Sequence, residues 1–104
     1  MNTIELRVLL TPSCCGGYYA QVLERDIAAH GKDIDSALAD LSRVLNVHIA
    51  ASHDLGREPF VGLDPAPEEY LSLWDKARSI KAELPNLCPT VVERPQIASQ
   101  FAVV

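Results

Sequence analysis

Residues 18–38 read YYAQVLERDIAAHGKDIDSAL, and this stretch decides the fold. Its first part, Tyr18 to Glu24, is aromatic and β-branched enough for a strand. A shorter extended piece follows from Asp26 to His30, with Ile27 and Ala29 on one face. Gly31 is then free to take a positive φ and turn the chain. Asp33 suits a helix N-cap, because its carboxylate accepts from the exposed amides of a first turn. Asp35 adds negative charge near the positive end of the helix dipole. Ile34, Leu38, Leu41, Leu45, Ile49 and Ser52 recur at spacings of three or four, and Ala37 and Val44 widen the stripe. The spacing predicts an amphipathic helix reaching Asp54, with Gly56 as its stop.

Toward the N-terminus, Ile4, Leu6, Val8 and Leu10 alternate with Thr3, Glu5 and Arg7, the pattern of a half-buried strand. Thr11-Pro12-Ser13-Cys14-Cys15-Gly16-Gly17 reads as a short connection, so this strand and Tyr18–Glu24 form an antiparallel hairpin. The expected architecture is α+β: a three-stranded antiparallel sheet in the order β-β-β-α, with the helix packed on its apolar face. Toward the C-terminus, Arg57–Leu63 is a loop or brief extended piece. Pro67 opens a second helix, acidic at Glu68 and Glu69 and basic at Lys76, Arg78 and Lys81. Tyr70, Trp74, Ala77, Ile80 and Leu84 make its apolar face, and Pro85 ends it. Pro89 and Pro95 exclude a central strand running through them. Thr90–Val92 and Phe101–Val104 read as short edge pieces of an arm that lies on its own domain or on a neighbour. The expected layout is one domain over residues 1–84 and a proline-containing C-terminal arm over 85–104.

The chain has 104 residues, a net charge of −5, 48% hydrophobic and 22% charged residues. One domain fits that length, and the apolar content excludes disorder as the main state. No apolar run approaches the roughly 20 residues of a membrane span. Glu5 and Arg7 interrupt the N-terminal apolar residues, so no secretory leader is read there. The acidic balance argues against direct binding of nucleic acid, whose phosphates demand a basic face. Three cysteines, Cys14, Cys15 and Cys88, form an odd set without a visible export signal, which points to free thiols in a reducing cytoplasm.

Few residues suggest chemistry. Cys14 and Cys15 with His30 are the candidates for a redox or metal-binding loop, although vicinal cysteines suit a tetrahedral zinc site badly. Two free thiols in a turn is the plainer reading. Glu5, Glu24 and Asp26 approach one another if their strands pair; a solvated sheet face is the plainer account of three strand acids. His48 reads as a partly buried ring at the edge of the helix stripe, and His53 is wrongly spaced to share a metal with it. Tyr18 and Tyr19 point to opposite faces of a regular strand, so at least one is available to solvent or a partner. Val47 falls off the apolar stripe, on the side of the helix where another subunit would sit.

The run from Tyr18 to Gly31, continued by Lys32-Asp33-Ile34-Asp35-Ser36-Ala37-Leu38, resembles the HicB-like family of small bacterial domains. Gly31, Asp33, Asp35 and Ala37 stand at the positions of the family's turn glycine and capped helix start. Gly56–Phe60 and Pro65–Tyr70 look like the loop and second-helix start of its stand-alone members. The resemblance implies an α+β domain likened to a reduced RNase H-like unit, assembled as a dimer or larger homo-oligomer. It also implies a non-catalytic antitoxin that blocks HicA, a small basic RNA-cleaving toxin; no cofactor or metal is expected. Two departures stand out. Ser36 occupies a position where Glu is common, which weakens the capping box. No helix-turn-helix pattern follows Leu84, which points to a branch lacking the DNA-binding segment. The alternatives are a stand-alone oligomeric domain of unknown function and a small thiol- or metal-dependent enzyme using Cys14, Cys15 and His30.

Overall fold

A computed structural model describes residues 3–58, 60–85 and 96–104. Strands β1 (Thr3–Pro12), β2 (Tyr18–Val22) and β3 (Ile27–Gly31) lead into helix α1 (Ile34–Asp54). Helix α2 (Glu68–Lys76) and strands β4 (Arg78–Ile80) and β5 (Gln96–Val103) follow. Among the described residues, no helix is long and apolar enough to cross a membrane.

The meander and capped helix form where the sequence predicts them. Val8 pairs with Val22 and Val22 with Ile27, both antiparallel. Asp33 is extended and its carboxylate accepts from the Ser36 backbone N–H at 2.7 Å. That bond satisfies an amide with no partner inside the helix. The Ser36 backbone N–H, and then its side chain, hold the Asp33 carboxyl below the usual carboxylate range.

Gly31 differs from expectation in its reason. Its φ is not positive; a Cβ there would collide with the backbone of Ser36 and Ala37. Glycine is needed because the first turn of α1 folds back against the end of β3, not because the chain turns left-handed. This contact sets the angle at which the helix enters the sheet.

The sheet is larger than a three-stranded antiparallel one. It is a five-stranded mixed sheet in the order β3-β2-β1-β5-β4. β5 runs parallel to β1, from Thr3 opposite Gln96 to Leu10 opposite Val103. β4 pairs antiparallel with β5, Ile80 opposite Phe101. Phe101–Val103 is therefore part of an interior strand and not an edge piece; β3 and β4 are the edges. Gln96–Val103 itself contains no proline. The expected edge piece at Thr90–Val92 lies outside the described residues, as does Cys88.

The second helix is also shorter than predicted. It ends at Lys76, and Ala77 is already extended. The apparent stripe of Tyr70, Trp74, Ala77, Ile80 and Leu84 is divided between two cores. Tyr70, Trp74 and Ala77 pack on a small cluster of Leu9, Leu23 and Ala66. Ile80 and Leu84 pack on the main core. Backbone pairing with β5 and access to the main core replace one more helical turn.

The main core joins Leu6, Val8 and Leu10 of β1, Ala20 and Val22 of β2, and Ile27 and Ala29 of β3. These pack with Leu38, Leu41, Leu45 and Ile49 of α1, and with Phe60 and Phe101. Leu9 lies between Val8 and Leu10 and so faces the other side of the sheet, toward the second cluster. The Leu63–Ala66 segment is tied to the turn after β2. Arg25 Nη1 donates to the Leu63 carbonyl at 3.1 Å, the Asp26 N–H to Asp64 at 2.6 Å, and the Ala66 N–H to Leu23 at 3.0 Å. This seam carries the chain from α1 on one face to α2 on the other.

Candidate functional site

The β1–β2 hairpin end gathers Cys14, Cys15 and His30 with Tyr18 and Tyr19, all residues that the sequence singles out. The turn is narrow and bonded to itself. The Ser13 N–H donates to the Gly17 carbonyl at 2.9 Å, the Gly16 N–H to the Ser13 carbonyl at 3.2 Å, and the Cys15 N–H to Ser13 Oγ at 3.3 Å. Gly17 has φ of +83°, and a Cβ on it would meet the Gly31 carbonyl, so a side chain there is excluded on both counts. The Gly16-Gly17 pair thus supplies a demanded geometry within the short connection that the sequence predicts.

Cys14 and Cys15 are both exposed at this tip, with their sulfurs 3.5 Å apart. His30 lies on β3, directly across from Tyr19 of β2. Their rings are 4.8 Å apart between centroids and tilted by 53°. The Cβ position of Gly17 lies 3.2 Å from His30 Nε2, so the imidazole flanks the turn. Among the described residues, no three His, Cys, Asp or Glu side chains gather as a metal would need. Cys14, Cys15 and His30 are neighbours without forming a common ligand set.

Tyr18 and Tyr19 do point to opposite faces. Tyr18 packs on the main core; Tyr19 is 48% exposed. Val47 is 59% exposed on the outer side of α1. Since α1 covers the face opposite Tyr19, the three candidates do not share a surface. Tyr19 stands on one side of the sheet with His30, and Val47 stands on the other.

The strand acids separate as well. Glu24 is taken up by Arg7: its carboxylate accepts from the Arg7 backbone N–H at 2.7 Å and from Nε at 2.6 Å. Asp26 accepts from Gln21 Nε2 at 3.2 Å. Glu5 is exposed and lines a cleft of about 140 Å³ with Arg7, Glu24, Ser99 and Gln100. The Arg7 guanidinium, 5.8 Å from the Trp74 ring centroid, closes the α2 side of this region. Among the described residues lining the cleft, the one cation, Arg7, is paired with Glu24. Neither this pair nor the burial of Phe60 in the main core was visible in sequence, because both depend on register and on how loops return. His48 is half-buried with its ring 6.3 Å from Phe60, in agreement with a packing role.

The chain matches no family model, no curated protein and no solved structure in comparisons with known proteins.

Proposed function

We propose that this chain is a HicB-like, antitoxin-type protein-binding module that works without catalysis. It acts in the bacterial cytoplasm through a small basic RNA-cleaving partner. The observation that carries the reading is the close approach of Gly31 to Ala37, capped by Asp33. These are the positions on which the resemblance rests, and each has a structural task here. The succession of three antiparallel strands and a helix on one face agrees with the same resemblance. A net charge of −5 complements a basic partner and speeds encounter. Tyr19, exposed beside His30, supplies an amphipathic anchor of the kind enriched at interfaces. Val47 lies on the outer side of α1, where self-association into a homo-oligomer would leave the Tyr19 side open.

Co-purification from the native cell tests this. The expected result is a short basic protein, encoded beside this chain, that loses its toxicity when bound. Tyr19→Ala should weaken that capture, whereas Val47→Ser should alter only the oligomeric state. Absence of such a neighbour, or a partner that stays toxic when bound, removes the antitoxin reading.

A further inference from the structure

The hairpin tip carries two thiols that the protein-binding reading does not use. On a regular strand adjacent side chains diverge to opposite faces. Here the turn brings the sulfurs of Cys14 and Cys15 to 3.5 Å, with both residues open to solvent. The frame beneath them is fixed by the three hydrogen bonds of Ser13, Cys15 and Gly16 and by two glycines with positive φ. We propose that Cys14 and Cys15 form a two-thiolate site for a thiophilic centre, either a trivalent arsenical or a soft divalent cation.

The geometry carries the proposal in two ways. A centre bound at about 2.3 Å from each sulfur, the length of a zinc–thiolate bond, would see a 3.5 Å sulfur separation at an angle of about 100°. That angle suits a pyramidal or tetrahedral centre; the turn thus overcomes the poor fit that adjacency alone predicts for two cysteines on one ion. Closure of the pair on itself is the poorer option. Disulfides favour Cα atoms about 4.4–6.8 Å apart, while neighbours across a trans peptide stand about 3.8 Å apart. The dithiol is therefore better placed to chelate an external centre than to close on itself.

The chemistry balances without a redox step. With an aryl arsenoxide, two As–S bonds form. The As=O oxygen leaves as one water with both thiol protons, and arsenic stays trivalent. With a divalent cation, two metal–sulfur bonds form and two protons are released to solvent.

Phenylarsine oxide and Cd²⁺ are the probes, used on the full chain carrying Cys88→Ser. The expected result is one phenylarsenic adduct per chain by intact mass, one Cd²⁺ per chain by its ultraviolet thiolate charge-transfer band, or both. Binding by only one probe assigns the site to that source. A second thiolate on the same tip acts at high effective concentration, so Cys14→Ser or Cys15→Ser should each weaken binding by about 10²–10⁴-fold. Both side chains are exposed, so the melting temperature of each Ser variant should equal its parent's. The double variant, with Cys14→Ser and Cys15→Ser added to the Cys88→Ser chain, supplies the converse test and should bind neither probe. Silence of both probes, single Ser variants that bind as tightly as the parent, or adducts that persist in the double variant would each overturn the site.

Discussion

Gly31 and Ala37 touch backbone to backbone: a Cβ on Gly31 would enter the space of the Ala37 nitrogen. The first turn of α1 is therefore pressed on the end of β3 with no room for a methyl group. Gly31→Ala should destabilise the chain by about 1–3 kcal/mol, since backbone must shift to admit one carbon. Urea unfolding measures it. A neutral outcome would mean that the helix enters the sheet at another angle.

Glu24 gives a second, local test. Its carboxylate serves both the amide and the guanidinium of Arg7. Glu24→Ala leaves a partly buried N–H without its acceptor, at a cost of about 1–3 kcal/mol. Glu24→Gln keeps an acceptor oxygen and loses only the ion pair. That pair is about one-third exposed on both sides, so its loss costs about 0–1 kcal/mol. The amide of Arg7 should exchange its hydrogen faster in the Ala variant than in the Gln variant. Equal losses would show that charge, and not the backbone bond, is what Glu24 supplies.

The Asp33 cap predicts a pH dependence. Its folded carboxyl titrates below the ordinary value because the Ser36 backbone N–H, then its side chain, favours the ionised form. The unfolded chain thus binds the proton more readily, so the stabilisation is fully present above the ordinary carboxylate value. It disappears as pH falls through the lowered folded value. Asp33→Asn retains a capping oxygen and removes this titration. Melting curves taken across acid pH should be flatter for the Asn variant; parallel curves would contradict the cap.

Phe101 distinguishes an interior strand from a detachable arm. It lies in β5 between β1 and β4 and packs in the main core at 6% exposure. Phe101→Ala should cost about 3–5 kcal/mol, the usual range for a buried Phe. The loss should not depend on protein concentration, because the strand belongs to its own sheet. A loss that vanishes on dilution would place the segment on a neighbouring copy.

What was legible in sequence is local. The alternation of Ile4, Leu6, Val8 and Leu10 and the three-to-four spacing from Ile34 to Ile49 report elements whose period is set by their own residues. Tyr18 and Tyr19 on opposite faces follow from the same period. β5 was not legible, because parallel pairing with β1 joins residues far apart in the chain and its short apolar run suits an edge as well as an interior. Ile80 and Leu84 misled for a related reason. They continue a helical spacing, yet both pack on the main core while Trp74 packs on the second cluster. At the hairpin tip, the adjacency of Cys14 and Cys15 was plain, while the convergence of their sulfurs depends on a turn that Gly16 and Gly17 shape. The Arg7–Glu24 pair likewise needs the register of β1 on β2, which no residue spacing encodes.

Ser42 predicts a gain of stability. It lies on the buried side of α1 among Leu38, Leu41 and Leu45, at 2% exposure. Its Oγ is buried without a hydrogen-bond partner among the described residues. Folding therefore strips water from a hydroxyl and returns nothing, which costs about 1–3 kcal/mol by mutational comparison. Alanine removes the hydroxyl, improves helix propensity, and leaves a gap of only one atom. Loss of that atom's packing offsets part of the gain, so Ser42→Ala should stabilise the chain by about 1 kcal/mol. Thermal melting and urea unfolding should agree on the sign. A destabilised variant would mean that the hydroxyl is bonded in solution, most simply back to a carbonyl of the preceding helical turn, and that the interior of α1 is less apolar than its neighbours make it.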